Sequence, residues 1–81
     1  MLFLIQYNRR AGRLVRLERF ATSQRVEASQ AMLDLEIELR HQGVNHEVVI
    51  LEAASEEALR KTHGRYFLDV RELLEAAASI L

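Results

Sequence analysis

The pattern of apolar and polar residues at the start of the chain predicts a β-hairpin. Residues 2–7 form an apolar run that is too short for a helix and typical of a strand buried on both faces. Residues 13–20 mix apolar and polar side chains, and Gly12 between the two segments can supply the positive φ of a turn. The second strand is the more polar one, so we expect it at an edge of the sheet. Its two faces are expected to carry Val15 with Leu17 and Leu14 with Phe20.

A long helix with two apolar stripes is predicted after the hairpin. Thr22 or Ser23 can cap its N-terminus, and the pattern runs to about His41 before Gly43 ends it. The wider stripe consists of Ala28, Ala31, Met32, Leu35 and Leu39, and the narrower stripe consists of Val26, Leu33 and Ile37. A surface helix buries only one stripe, so the narrower one predicts a contact with the C-terminal helix or with another subunit. The narrower stripe is therefore the candidate interface.

The second half of the chain predicts one strand and two helices. Residues 46–53 contain a β-branched run that is typical of a strand. Ser55 can cap a short helix that runs to about His63, and Gly64 is expected to end that helix with a positive φ. The last helix is predicted over residues 70–80, after a capping box formed by Asp69 and Glu72.

These elements follow the order β-β-α-β-α-α and predict one small α+β domain over residues 1–81. The first strand is the most apolar, so we expect it in the middle of a three-stranded antiparallel or mixed sheet of order 2-1-3, with the helices packed on one face. The first and third strands are apolar on both faces, so we expect either the C-terminal helix or a second subunit to cover the face that one helical layer leaves open. A homodimer is the commonest arrangement of the second kind. The element order resembles small bacterial proteins with a β-hairpin, a long helix and a third strand, a resemblance that implies no activity.

Composition narrows the class of protein. The 81 residues are 49% hydrophobic and 28% charged, as in an ordinary globular domain. The absence of cysteine excludes disulfides and thiolate chemistry, and no apolar run approaches the ~20 residues of a membrane span, so we expect a cytoplasmic protein without a membrane contact. No catalytic motif or phosphate-binding glycine loop is present, so no catalytic residue and no cofactor is predicted. The leading hypothesis is a non-enzymatic protein–protein interaction module that binds itself or another protein.

Charge is divided unevenly along the chain and supports a second hypothesis. Residues 1–25 carry six arginines and one glutamate, or +5, whereas residues 26–81 carry five basic and eleven acidic residues, or −6, which together give the net charge of −1. Such asymmetry can indicate an anionic partner. The hypothesis is a nucleic-acid or polyanion contact through the hairpin residues Arg9, Arg10, Arg13 and Arg16. The alternative is that these arginines pair with acidic side chains of the same fold or of a partner.

The segment KTHGRYF, residues 61–67, supports a third hypothesis. A histidine in the last turn and a following glycine are typical of a helix end. The same residues could instead form a small polar pocket in which His63, Arg65 and Tyr66 bind an anion or a metabolite, because arginine binds carboxylate and phosphate groups through two hydrogen bonds. No metal site is expected from the three histidines, His41, His46 and His63.

Overall fold

The computed structural model describes residues 1–67 and contains a three-stranded sheet with helices packed on it. Its elements are β1 (Leu2–Asn8), β2 (Arg13–Phe20), α1 (Arg25–Gln42), β3 (Glu47–Glu52) and α2 (Glu56–Thr62), with 3₁₀ turns at Thr22–Gln24 and Gly64–Tyr66. The strand order is β2-β1-β3, and β1 is antiparallel to both neighbours. The α+β class and the sheet order predicted from the sequence are confirmed. The helix predicted over residues 70–80 and its capping box lie outside the described residues.

One face of the sheet packs against α2 and the turn that follows it. The core on this face consists of Phe3, Ile5, Tyr7, Leu59 and Tyr66. Phe3, Ile5 and Leu59 are completely inaccessible to solvent. Because alternate side chains of a strand point to opposite faces, these β1 residues leave Leu2 and Leu4 on the other side.

The long helix α1 covers the opposite face. It contacts all three strands, and its Leu39 lines the same cavity as Val48, which pairs across the sheet with Gln6. Leu2 and Leu4 on this face are at most 1% exposed. Helices therefore pack on both faces, and the expectation of a single helical layer was wrong. The dimer hypothesis was based on the apolar faces of the strands and on the narrower stripe of α1. The first of these no longer supports it, since both faces of β1 are buried within one chain.

A β-bulge in β2 changes which of its residues face the core. Gln6 pairs with Arg16 but Tyr7 pairs with Leu14, so Val15 has no partner on β1. The extra residue places both Leu14 and Leu17 against the Phe3 side of the sheet, where both pack on the core. Val15 is 49% exposed. Leu14 therefore shares a face with Leu17, and the prediction that these two residues lie on opposite faces was wrong.

The predicted ends of the elements were partly correct. Gly12 and Gly43 have positive φ values of 67° and 69°, and Ser55 Oγ accepts a hydrogen bond of 3.1 Å from the Ala58 amide, as expected of a turn glycine, a C-cap and an N-cap. Thr22 does not cap α1, because the helix begins at Arg25 and the Thr22 hydroxyl accepts a hydrogen bond from the amino group of Met1. Ser23 likewise lies in the preceding 3₁₀ turn.

Gly64 lacks the positive φ that the sequence predicted. The α2 helix ends at Thr62 with His63 as its C-cap, and Gly64 begins the following 3₁₀ turn. The cap prediction at Gly64 was therefore wrong, because the chain continues into a tighter turn instead of reversing through a left-handed residue.

Alanine substitutions distinguish Gly43 from Gly64. A β-carbon at either position would meet no atom within 4 Å, so only the backbone conformation differs between them. We expect Gly43→Ala to lower the free energy of unfolding by about 1 kcal/mol, because alanine is strained at positive φ, and Gly64→Ala to leave it nearly unchanged. Chemical denaturation of both variants measures this difference. An equal loss in both would contradict the assignment of Gly43 as the left-handed cap.

Candidate functional site

Several chain segments meet at one end of the sheet, which we call the hairpin end. Because β1 is antiparallel to both neighbours, the end of β1 lies beside the start of β2 and the start of β3. Asn8 pairs with Arg13, and Tyr7 pairs with Glu47. The C-cap of α1, Gly43, lines the same cleft as Asn8. The fold thus brings together residues that are separated by up to about half of the chain.

Glu47 is the centre of an ion cluster at the hairpin end. Its carboxylate accepts a hydrogen bond of 2.7 Å from Arg9 and one of 3.1 Å from Arg65. The Glu47 side chain is only 13% exposed, whereas those of Arg9 and Arg65 are 71% and 58% exposed. Two guanidinium groups therefore share one carboxylate, and the cluster keeps a net positive charge that faces solvent.

Aromatic side chains hold Arg65 in this cluster. The guanidinium of Arg65 lies 4.1 Å from the ring centroid of Tyr66, with which it also forms a hydrogen bond. The Tyr66 ring packs edge-on against Tyr7, with ring centroids 5.2 Å apart and an interplanar angle of 89°. Since Tyr7 and Tyr66 belong to the core, the position of Arg65 is fixed by the packing of the sheet.

The electrostatics of the cluster keep Glu47 ionised. The hydrogen bond from Arg9 lowers the pKa of Glu47, and hydrogen bonds from Tyr66 and Arg65 lower it further, although partial burial opposes them. Burial raises the pKa of Tyr66, and its hydrogen bond to Glu47 raises it further. At neutral pH the cluster therefore consists of a carboxylate, two arginines and a neutral phenol, and Glu47 is a weak proton acceptor.

The structure brings together some of the residues predicted to bind an anion and separates others. Arg9, Arg65 and Tyr66 converge on Glu47, so a carboxylate of the chain itself occupies the position that the third hypothesis gave to an external anion. His63 is the C-cap of α2, and its amide donates to the carbonyl of Leu59 at 2.8 Å. Its described contacts are those of a helix end.

The remaining hairpin arginines have different surroundings. Arg16 lies 3.5 Å from Glu18 on the same edge strand, and both side chains are exposed. Arg10 and Arg13 form no salt bridge with any acidic residue between positions 1 and 67. Of the four hairpin arginines, two are therefore paired within the chain and two remain available within the described part of the fold.

A polar cleft of about 650 Å³ lies between the hairpin turn and the connection from α1 to β3. It is lined by Asn8, Arg9, Arg10, Gly43, Asn45, His46 and Glu47. His46 is positioned by a hydrogen bond of 2.8 Å between its Nδ1 and Nε2 of the buried Gln6. Four of these residues were not predicted as site residues from the sequence: Asn8, Asn45, His46 and Glu47. The predicted strand order 2-1-3 was a signal for them, because it places the end of the first strand beside the start of the third.

The narrower stripe of α1 forms a second candidate surface. Val26 is 80% exposed, Leu33 49% and Ile37 46%, whereas Leu35 and Leu39 on the sheet side of the helix are buried. A shallow groove of about 370 Å³ runs along the first part of the stripe. Within residues 1–67, the second apolar stripe predicted from the sequence is therefore accessible.

Among residues 1–67 there is no group of three or more histidine, aspartate or glutamate side chains that could hold a metal ion, and no helix in this range is long and apolar enough to cross a membrane. No protein family, no curated protein and no solved structure was found that matches the chain. The hairpin end and the narrower stripe of α1 are the two candidate surfaces among the described residues.

Proposed function

We propose that the protein is a non-enzymatic interaction module that forms a homodimer through the narrower stripe of α1. The observation that supports this proposal is the exposure of Val26, Leu33 and Ile37 along the helix side that faces away from the sheet. Burial of apolar surface is the main driving force for association, and exposed apolar side chains in a row indicate an interface. The same surface could receive another protein, which the test below distinguishes.

The spacing of the stripe supports a second copy of the same helix as the occupant. Val26, Gln30, Leu33 and Ile37 follow each other at intervals of four, three and four residues, which is the spacing of a two-helix seam. A symmetric pair of helices would bury each apolar residue against the matching stripe of the partner. Gln30 would be the single polar residue of the seam between Val26 and Ile37, and such a residue restricts the register of pairing.

Solution mass tests this proposal, using two variants with matched exposure. Leu33 and Val15 are both 49% exposed, but only Leu33 belongs to the stripe. We expect the unmodified protein and Val15→Glu to have the mass of a dimer by light scattering, and Leu33→Glu to have the mass of a monomer, because a charge in the seam would be desolvated without a partner. A monomeric unmodified protein at high concentration would refute the homodimer. If the stripe binds a different protein instead, the unmodified protein should be monomeric, and Leu33→Glu should abolish its binding to that protein.

Polyanion binding through the hairpin is the second candidate function. It is supported by Arg10 and Arg13, which lack an acidic partner in the described part of the chain, and by the positive charge that Arg9 and Arg65 leave around Glu47. Against it, Arg16 already pairs with Glu18. Binding of this type weakens steeply with salt, since it depends on the release of counterions.

A further inference from the structure

We propose that the cleft at the hairpin end is a binding site for a small organic anion that carries a phosphate or carboxylate group. The cleft lies on a different part of the molecule from the α1 stripe, so this inference is independent of the proposed dimer. Its volume of about 650 Å³ is in the range of small-molecule sites, roughly 300–1,000 Å³. Its wall consists of residues from the hairpin turn and from the start of β3.

The lining of the cleft is rich in hydrogen-bond donors. Asn8 Oδ1 already accepts a hydrogen bond from the Ala11 amide at 3.0 Å, which leaves the Asn8 amide NH₂ as the free part of that side chain. The amide nitrogen of Gln6 can only donate, so His46 Nδ1 accepts its hydrogen bond and the N–H of the ring is Nε2, a second donor. Asn45 and Arg10 add an amide and a guanidinium to the same wall.

The charged acceptor of the lining, the Glu47 carboxylate, is already occupied. Glu47 is the acidic side chain of the lining, and its carboxylate accepts from both Arg9 and Arg65. In the last turn of α1, the carbonyl groups of Arg40 and Leu39 accept from the amides of Gly43 and Val44, at 3.2 and 2.9 Å. The free donors of Asn8, His46 and Arg10 favour an acceptor-rich anion over a cation.

Arg10 is the residue expected to contribute most to binding. Arg9 lines the cleft but is held by Glu47, whereas Arg10 has no acidic partner within residues 1–67. A guanidinium can donate two parallel hydrogen bonds to a phosphate or a carboxylate. Arg13 lies on the same hairpin but does not line the cleft, so it carries the same charge without the same position.

The test is an NMR titration of the full chain with inorganic phosphate, citrate and a short single-stranded oligonucleotide, read from backbone amide shifts. Phosphate and citrate should shift the amides of Asn8, Arg10, Asn45 and His46. Arg10→Ala should weaken phosphate and citrate binding about tenfold, because hydrogen bonds to charged groups are the strong ones. Asn45→Ala should weaken it about threefold without changing the charge, and Arg13→Ala should weaken it less than about twofold.

Each alternative result overturns the proposal in a recognisable way. No shift at the cleft with phosphate or citrate would remove the site. Equal weakening by Arg10→Ala and Arg13→Ala, with no effect of Asn45→Ala, would mean that the hairpin attracts anions by its overall charge. Binding of the oligonucleotide alone, with Arg13→Ala as harmful as Arg10→Ala, would indicate a nucleic-acid surface instead. The unchanged amide spectrum of each variant away from its substitution shows that the fold is intact.

Discussion

Replacing either Phe3 or Leu4 with alanine is expected to destabilise the protein severely. The two losses should be similar, although the side chains lie on opposite faces of the sheet. Phe3 is 0% and Leu4 1% exposed, on the α2 side and the α1 side respectively. Removing such side chains leaves a cavity and costs about 3–5 kcal/mol for phenylalanine and about 2–5 kcal/mol for leucine. The total stability expected for a chain of this length is only about 4–12 kcal/mol, so either variant should be largely unfolded on mild heating.

Thermal and urea denaturation of both variants measure this effect, with Val15→Ala as the control. Val15 is a β-branched residue of the same sheet, but the bulge leaves it 49% exposed, so its truncation should cost less than about 0.5 kcal/mol. A severe loss in Phe3→Ala together with a negligible loss in Leu4→Ala would contradict the burial of β1 on both faces.

Replacing Glu47 with glutamine is expected to remove both stability and part of its dependence on pH. The substitution leaves Arg9 and Arg65 side by side without their carboxylate. We expect it to lower the free energy of unfolding by about 1–2 kcal/mol at neutral pH. The effect is modest because both arginines are well exposed to water. The pKa of Glu47 is lower in the folded than in the unfolded chain. The contribution of Glu47 to the free energy of unfolding is therefore complete above its unfolded-state pKa of about 4.3, and it is lost as the pH falls through its lower folded-state pKa.

Denaturation at several pH values measures this contribution. The difference between the unmodified protein and Glu47→Gln should be constant above about pH 5 and should shrink towards acid. Glu52→Gln is the matched control, because Glu52 lies at the other end of β3 and forms a longer ion pair of 3.5 Å with Arg25 between exposed side chains. If Glu52→Gln had the same effect, the ion cluster around Glu47 would have no special role in stability.

Much of the fold could be predicted from the sequence because its signals are local. The apolar run of residues 2–7 exceeds any other strand in hydrophobicity, and the central strand is where such a run is buried. Gly43 and Ser55 were identified as caps because their residue types are preferred at those positions. Both apolar stripes of α1 were visible in the helical periodicity, which also identified the stripe that stays exposed.

The errors arose where the outcome depends on contacts distant in sequence. The bulge at Val15 depends on pairing with β1, and no turn residue in β2 indicates it. Gly64 was given a positive φ because a glycine after a helix usually has one, but it begins a 3₁₀ turn in which Tyr66 packs on Tyr7, 59 residues away in sequence. Glu47 received no role, since its two arginine partners lie 38 residues before it and 18 residues after it.

Only part of the candidate site could be predicted, because its residues are brought together by contacts distant in sequence. Arg9, Arg10, Arg65 and Tyr66 were selected as isolated side chains that suit anions, but their grouping depends on the sheet order and on the start of β3. The sequence predicted that order, and it was sufficient to bring Asn8 and His46 to one end of the sheet. The positions of Asn45 and Gly43 also require the path of the connection from α1, which periodicity does not determine.

The central position of β1 has a consequence for the order in which the chain is made. β1 is synthesised before both of its neighbours, and its pairing with β2 needs only the short hairpin turn. Its other edge stays unpaired until residues 9–46 and then β3 have left the ribosome, roughly two to nine seconds at about 5–20 residues per second. During that interval an apolar strand with one open edge is exposed to other nascent chains. A chaperone that binds short extended apolar segments would therefore act on this protein mainly before residue 52 has left the ribosome.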